Sequence, residues 1–176
     1  KAVTRGNGEV GEIITNNARV FKNVPVTIPF KGKLVLRGEA IITYSDFERI
    51  NEQIPEADAK YKNPRNLCSG SVRQLNNEIT AKRNVKFFAF TLVRAEEVDF
   101  HNSRMYQMQW LKEQGFDVVE YQMVTAETLD EAMEDFVVDY DSLASNSFES
   151  QYSTHLFNMA VRTSRKKYNY NIGVDL

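Results

Sequence analysis

Two arginines on one short segment hold the clearest chemistry in this sequence. Arg65 and Arg73 stand in Asn63-Pro-Arg-Asn-Leu-Cys-Ser-Gly-Ser-Val-Arg-Gln-Leu. A guanidinium is permanently charged and offers a planar fork of donors that matches phosphate. Asn63-Pro64 reads as a helix start, with Asn as cap and Pro at the first helical position. If the helix continues past Gly70, Arg65 and Arg73 differ by only about 80° around its axis. The two guanidinium groups, the helix N-terminus and the nearby Lys60 and Lys62 then make one anion site. Leu67, Val72 and Leu75, with Cys68, turn toward the core. No base lies near Cys68 in sequence, so a small buried thiol is preferred to a nucleophile.

A second charged constellation lies upstream, in Lys33-Leu-Val-Leu-Arg-Gly-Glu-Ala-Ile-Ile. This stretch reads as a strand over 33–42. Its period of two puts Val35, Arg37, Glu39 and Ile41 on one face and Leu34, Leu36, Ala40 and Ile42 on the other. Charges in such a strand need a partner or a ligand. Arg37 and Glu39 therefore either pair within the sheet or face a bound molecule, and Gly38 leaves room for a flat or bulky one. Thr4-Arg-Gly-Asn-Gly-Glu-Val-Gly-Glu, at the start, is rich in glycine. It suits a surface turn or a close approach to a phosphate, but it lacks the strand that a dinucleotide-binding glycine fingerprint requires before it.

The elements that must position these groups follow from periodicity and punctuation. Ser45 and Glu48 form a capping-box pattern for a helix with Phe47, Ile50 and Ile54 on its apolar side, stopped by Pro55. Residues 85–93 read as a central strand buried on both faces, with Phe88, Phe90 and Leu92 on one and Val85, Phe87, Ala89 and Val93 on the other. A helix is expected over 103–114, carrying Met105, Met108 and Leu111 and stopped by Gly115. A strand is expected over 117–124. A further helix starts near Thr128, with Glu131 in its cap and Leu129, Ala132, Met133, Phe136 and Val137 on its apolar face. This order has no βαβ rhythm and no internal repeat. It predicts an α+β fold of mixed, largely antiparallel sheets packed with helices. The expected organisation is one domain over 1–140 and a divergent polar and basic segment over 141–176.

Charge is unevenly distributed. Residues 60–94 hold eight Lys/Arg and one Glu, a net of +7, whereas residues 96–141 hold thirteen Asp/Glu and two Lys/Arg, a net of −11. Such a split can turn one basic face to phosphate, or it can be two ordinary surfaces of opposite bias. The basic cluster Arg162-Thr-Ser-Arg-Lys-Lys is either a nucleic-acid contact or a solvated tail. The two histidines and one cysteine have no zinc spacing. No apolar run approaches the roughly 20 residues that span a bilayer. With no signal-peptide core at Lys1-Ala-Val-Thr-Arg, the expectation is a soluble cytoplasmic protein without membrane partners.

Taken together, Thr4-Arg-Gly-Asn-Gly-Glu-Val-Gly-Glu-Ile-Ile-Thr-Asn-Asn, Leu36-Arg-Gly-Glu-Ala, Asn63-Pro-Arg-Asn, Gly70-Ser-Val-Arg-Gln-Leu, Ile79-Thr-Ala-Lys-Arg and Phe87-Phe-Ala-Phe resemble, in order over about residues 1–137, the adenylation (nucleotidyltransferase) domain of bacterial NAD-dependent DNA ligases. The resemblance implies an ATP-grasp-like core, here incomplete. It also implies lysyl-AMP formation from NAD, AMP transfer to the 5′-phosphate of nicked duplex DNA, and nick sealing with magnesium. By resemblance, Arg5 lies near the adenosine and the phosphate end of the site, Glu39 contacts the adenylate ribose, and Arg65 and Arg73 contact phosphate and the nicked DNA. The family's nucleophilic lysine belongs to a Lys-x-Asp-Gly motif one hairpin before Thr-Arg-Gly, and this sequence contains no Asp-Gly dipeptide. No catalytic residue is therefore assigned, and the isolated chain is expected to be inactive in the first step. The alternatives are a non-catalytic nucleotide- or DNA-binding remnant and a structural domain without a ligand.

Overall fold

Local capping chemistry sets where the elements begin. A computed structural model describes residues 1–55 and 60–121, with Thr125 and Thr128. In chain order these form α1 (Thr15–Ala18), β1 (Leu34–Ile41), α2 (Tyr44–Glu52), α3 (Pro64–Ser71), α4 (Asn77–Lys82), β2 (Lys86–Ala95) and α5 (Arg104–Glu113). β1 and β2 pair in a small antiparallel sheet, and Ala89 makes a further parallel bridge to Val118. The α+β class follows, as an incomplete ATP-grasp-like core.

Contacts divide the chain into two units. The first takes in Lys1–Lys31, Gly38–Phe88 and Gln114–Asp117; the second takes in Gly32–Arg37, Ala89–Glu113 and the described residues from Val118 onward. In the first unit Phe21, Ile42, Ile50, Leu67, Cys68, Val72 and Val85 form the core, lined by Ile14, Ala18, Val24, Ala40, Phe47, Tyr61 and Phe87. Asn23 serves as a surrogate strand for the start of β2. Its Nδ2 donates to the Phe87 carbonyl and its Oδ1 accepts the Phe87 N–H, both at 2.7 Å. The same Nδ2 reaches Asp117 Oδ2 at 2.7 Å, and Gln114 Oε1 accepts the Phe30 N–H at 2.9 Å. In the second unit Leu92, Phe100, Met108, Leu111 and Val119 are buried. Phe100 meets Tyr106 and Trp110 edge to face, with ring centroids 5.8 and 5.5 Å away.

Several expectations change. The cap of α2 is Thr43, not Ser45; its hydroxyl accepts the Asp46 N–H and donates to Asp46 Oδ2. Thr43-x-x-Asp46 is the same box two residues earlier, reached because β1 ends at Ile41. β2 is not buried on both faces: Val93 is 49% exposed, and all three of its phenylalanines are half-buried. Over the described part of 117–124 the expected strand is reduced to the Val118 bridge. Met105 on α5 is exposed, while Met108 and Leu111 are buried. Gly38 leaves no room for a ligand, because a Cβ there would overlap the Phe88 carbonyl and the Phe87 ring. The expected helix beginning near Thr128 and the segment 141–176 lie outside the described residues, apart from Thr128 itself.

Candidate phosphate and nucleotide site

The glycine-rich start folds as a hairpin. Val3 and Ile13 form an antiparallel bridge, and Thr4 and Glu12 clamp each other: the Thr4 N–H donates to the Glu12 carbonyl, and the Glu12 N–H donates to Thr4 Oγ1, both at 2.9 Å. Gly6 takes a φ of 55°, and a Cβ there would overlap the Val10 carbonyl. Asn7 Oδ1 accepts the Glu9 and Val10 N–H groups and closes the turn. Arg5 sits at the mouth of this turn. Its side chain is exposed, and it has no partner among the described residues.

Asn63 caps α3 as its sequence requires, accepting the Asn66 N–H at 2.8 Å, with Pro64 at the first position. One of the free donors at that helix end is therefore already used. Arg65 stands exposed on the first turn, also without a described partner. The helix does not run on to Arg73: it ends at Ser71, with Val72 as C-cap. The angular relation between the two arginines along one helix therefore does not apply. Arg73 lies in the following turn, where its Nε donates to Glu12 Oε2 at 2.5 Å. The structure thus brings Arg73 to the hairpin that carries Arg5, rather than to Arg65 along a shared helical face.

A buried polar network holds that turn in place. Asn17 is 5% exposed; its Nδ2 donates to the carbonyls of Val72 and Gln74, both at 2.8 Å. Its Oδ1 lies 2.9 Å from Thr80 Oγ1, and that hydroxyl is also 2.7 Å from the Ser71 carbonyl. One hydroxyl proton serves both acceptors. Ser71 Oγ donates back to the Leu67 carbonyl and accepts from Arg83, whose guanidinium lies over the Tyr61 ring. Asn17, Thr80, Arg83 and Glu12 were not legible as site-forming residues, because each acts on a segment far away in the chain. The polar Asn16-Asn17 pair between Ile14 and Ala18 is the only local sign.

Glu39, half-buried on β1, lies close enough to Cys68 for its charge to act on the thiol. Cys68 Sγ donates to the Ala40 carbonyl at 3.1 Å. Burial first, and then the Glu39 carboxylate, push the thiol pKa up to about 12. Cys68 is thus a neutral buried thiol, as its isolation in the sequence suggested. Arg37 is exposed and has no described ion pair.

The donor chemistry suits a nucleotide. Arg5, Arg65 and Arg73 supply cationic donors that match phosphate oxygens, and Glu39 supplies an acceptor that suits ribose hydroxyls. Among the described residues no group of three His, Cys, Asp or Glu converges on a metal position.

With this arrangement in view, the chain's kinship is clear. Residues 1–151 match the NAD-dependent DNA ligase adenylation domain model. The chain is 64% identical over 158 residues to a DNA ligase of Lachnoclostridium phytofermentans, covering 90% of this chain and 24% of that protein. It is 59% identical to a DNA ligase of Ruminiclostridium cellulolyticum, covering 85% and 22%. With a DNA ligase of Clostridioides difficile it shares 38% identity, covering 76% and 20%. This chain belongs to the NAD-dependent DNA ligase adenylation domain family. It spans about a quarter of the length of the first two of these relatives.

Proposed function

We propose that this chain provides the central part of a ligase adenylation site, where the AMP portion of NAD and the phosphate of nicked duplex DNA are held. Arg5 orients the adenylate phosphate at the mouth of the hairpin, and Glu39 accepts a ribose hydroxyl. Arg65 and Arg73 hold the DNA phosphate. Negative charge accumulates on phosphoryl oxygens during such transfers, so fixed guanidinium donors stabilise the transition state directly. Magnesium, when bound, would neutralise phosphate charge further. The 176 residues contain no Lys-x-Asp-Gly, so the covalent first step is assigned to none of them. The proposed setting is the cytoplasm.

The supporting observation is the tie of Arg73 to the Arg5 hairpin through Glu12. The test is nicked-duplex affinity against salt. Each phosphate contact contributes about 0.9 to the slope of log affinity against log salt. Replacing Arg65 and Arg73 together by Ala is expected to reduce the slope by about 1.8. An unchanged slope would remove their phosphate role. Incubation with NAD and magnesium is expected to leave the intact mass unchanged; a gain of one AMP would show a lysine of this chain acting as nucleophile.

A further inference from the structure

We propose that Glu12 is a positioning residue for Arg73, gripping the inner edge of its guanidinium so that the outer fork meets a DNA phosphate. The proposal rests on the reading of Arg73 as a phosphate ligand. A guanidinium has five N–H donors. Glu12 Oε2 takes the one on Nε, and this is the only hydrogen bond or ion pair of the Arg73 side chain among the described residues. The four donors on Nη1 and Nη2 stay together on the opposite edge, in the arrangement that receives phosphate bidentately. A carboxylate competing with phosphate would be expected to take that fork itself.

Both ends of the pair are anchored by their backbones. Glu12 is clamped to Thr4 through its N–H and its carbonyl, one residue from Arg5. Arg73 lies between Val72 and Gln74, whose carbonyls are both held by Asn17. The side chains themselves are open, at 55% and 63% exposure. An ion pair this exposed adds little to stability, so its effect falls on orientation. It also joins two motifs 61 residues apart.

The experiment measures binding of the full chain to a labelled nicked duplex across salt concentrations, for wild type, E12A, E12Q, R73A and E12A/R73A. R73A is expected to weaken binding and lower the salt slope by about 0.9. E12A should weaken binding about twofold to fivefold, the range an exposed ion pair supports, with a partial loss of slope. E12Q should stay within about twofold of wild type, since the Gln carbonyl still accepts the Nε–H. The double variant should bind no more weakly than R73A, because Glu12 acts only through Arg73. Tighter binding by E12A would make Glu12 a competitor and overturn the proposal. So would additive losses in the double variant, or an E12Q as weak as E12A. If R73A weakens binding while E12A does not, the positioning role alone fails. If R73A binds like wild type, the phosphate reading of Arg73 fails and the positioning role falls with it.

Discussion

Replacing Asn17 should be the most damaging polar substitution near the site. Its amide orientation is dictated by its surroundings, since the two carbonyls it faces can only accept. Asn17→Ala removes two hydrogen bonds of 2.8 Å and one of 2.9 Å. At about 1 kcal/mol net for each bond, the loss is about 3 kcal/mol. The Val72 and Gln74 carbonyls then lose their donor, and Thr80 keeps only the Ser71 carbonyl. With a urea m-value of about 2 kcal/mol/M, the unfolding midpoint should fall by about 1.5 M. Asn17→Asp keeps the volume but sets a carboxylate against both carbonyls, so it should be at least as destabilising at neutral pH. Burial against two carbonyl oxygens, with only the Thr80 hydroxyl to donate, raises that new carboxyl's pKa in the folded state. Its protonated form can donate one bond, so the deficit of Asn17→Asp should shrink as pH falls through the raised value. Circular dichroism during urea titration measures both effects. A loss under about 1 kcal/mol for both variants, at unchanged m, would refute the view that this amide holds the Arg73 turn.

Asp46 gives a pH signature of its own. Burial alone would raise its carboxyl, but hydrogen bonds from Arg49, Asn84 and Thr43, together with the Arg49 charge, hold it below its ordinary value of 3.8. Its contribution is therefore present above that value and lost as pH falls through the lowered one. Asp46→Asn should be less stable than wild type at neutral pH and converge with it in acid; a constant gap would exclude this linkage. Cys68 should resist thiol reagents in the native state at mildly alkaline pH and react only on unfolding, since its thiolate forms only near pH 12. Rapid native labelling would contradict its burial. Gly38→Ala should cost about 1–3 kcal/mol, because the added methyl must displace Phe87 and the neighbouring strand backbone. A neutral result in thermal melts would show that the strands have slack at this point.

Where a signal was carried within four or five residues, the sequence was a good guide. Asn63-Pro64 started α3, the alternation in Leu34–Ile41 marked β1, and Gly115 followed α5. The box at Ser45 was ambiguous because Thr43-x-x-Asp46 satisfies the same pattern, and only the end of β1 decides between them. The extension of α3 to Arg73 failed for a non-local reason. The carbonyls of Ser71, Val72 and Gln74 are taken by Thr80 and Asn17, which supply from a distance the donors that another helical turn would have given. Gly38 was read as room for a ligand, but an aromatic ring from the next strand fills that space. Arg5, Glu39, Arg65 and Arg73 were individually visible as candidates. The side chain that joins two of their motifs, Glu12, had no local mark.

The first unit is assembled from three separate stretches of chain, and this shapes when it can form. Asn23 and Phe30 find their partners at Asp117 and Gln114, and Asn17 finds its own between Val72 and Thr80. Contacts of such long sequence separation are formed against the entropy of closing large loops, which slows folding. During synthesis the glycine hairpin and Asn17 emerge first, yet the carbonyls that Asn17 Nδ2 holds arrive only with Val72 and Gln74, and the last closing contacts only with residues 114–117. Until then Asn23 can already hold Phe87, but its own bond to Asp117 is still missing. The interval in which this chain is open to misfolding is thus written into the order of its residues.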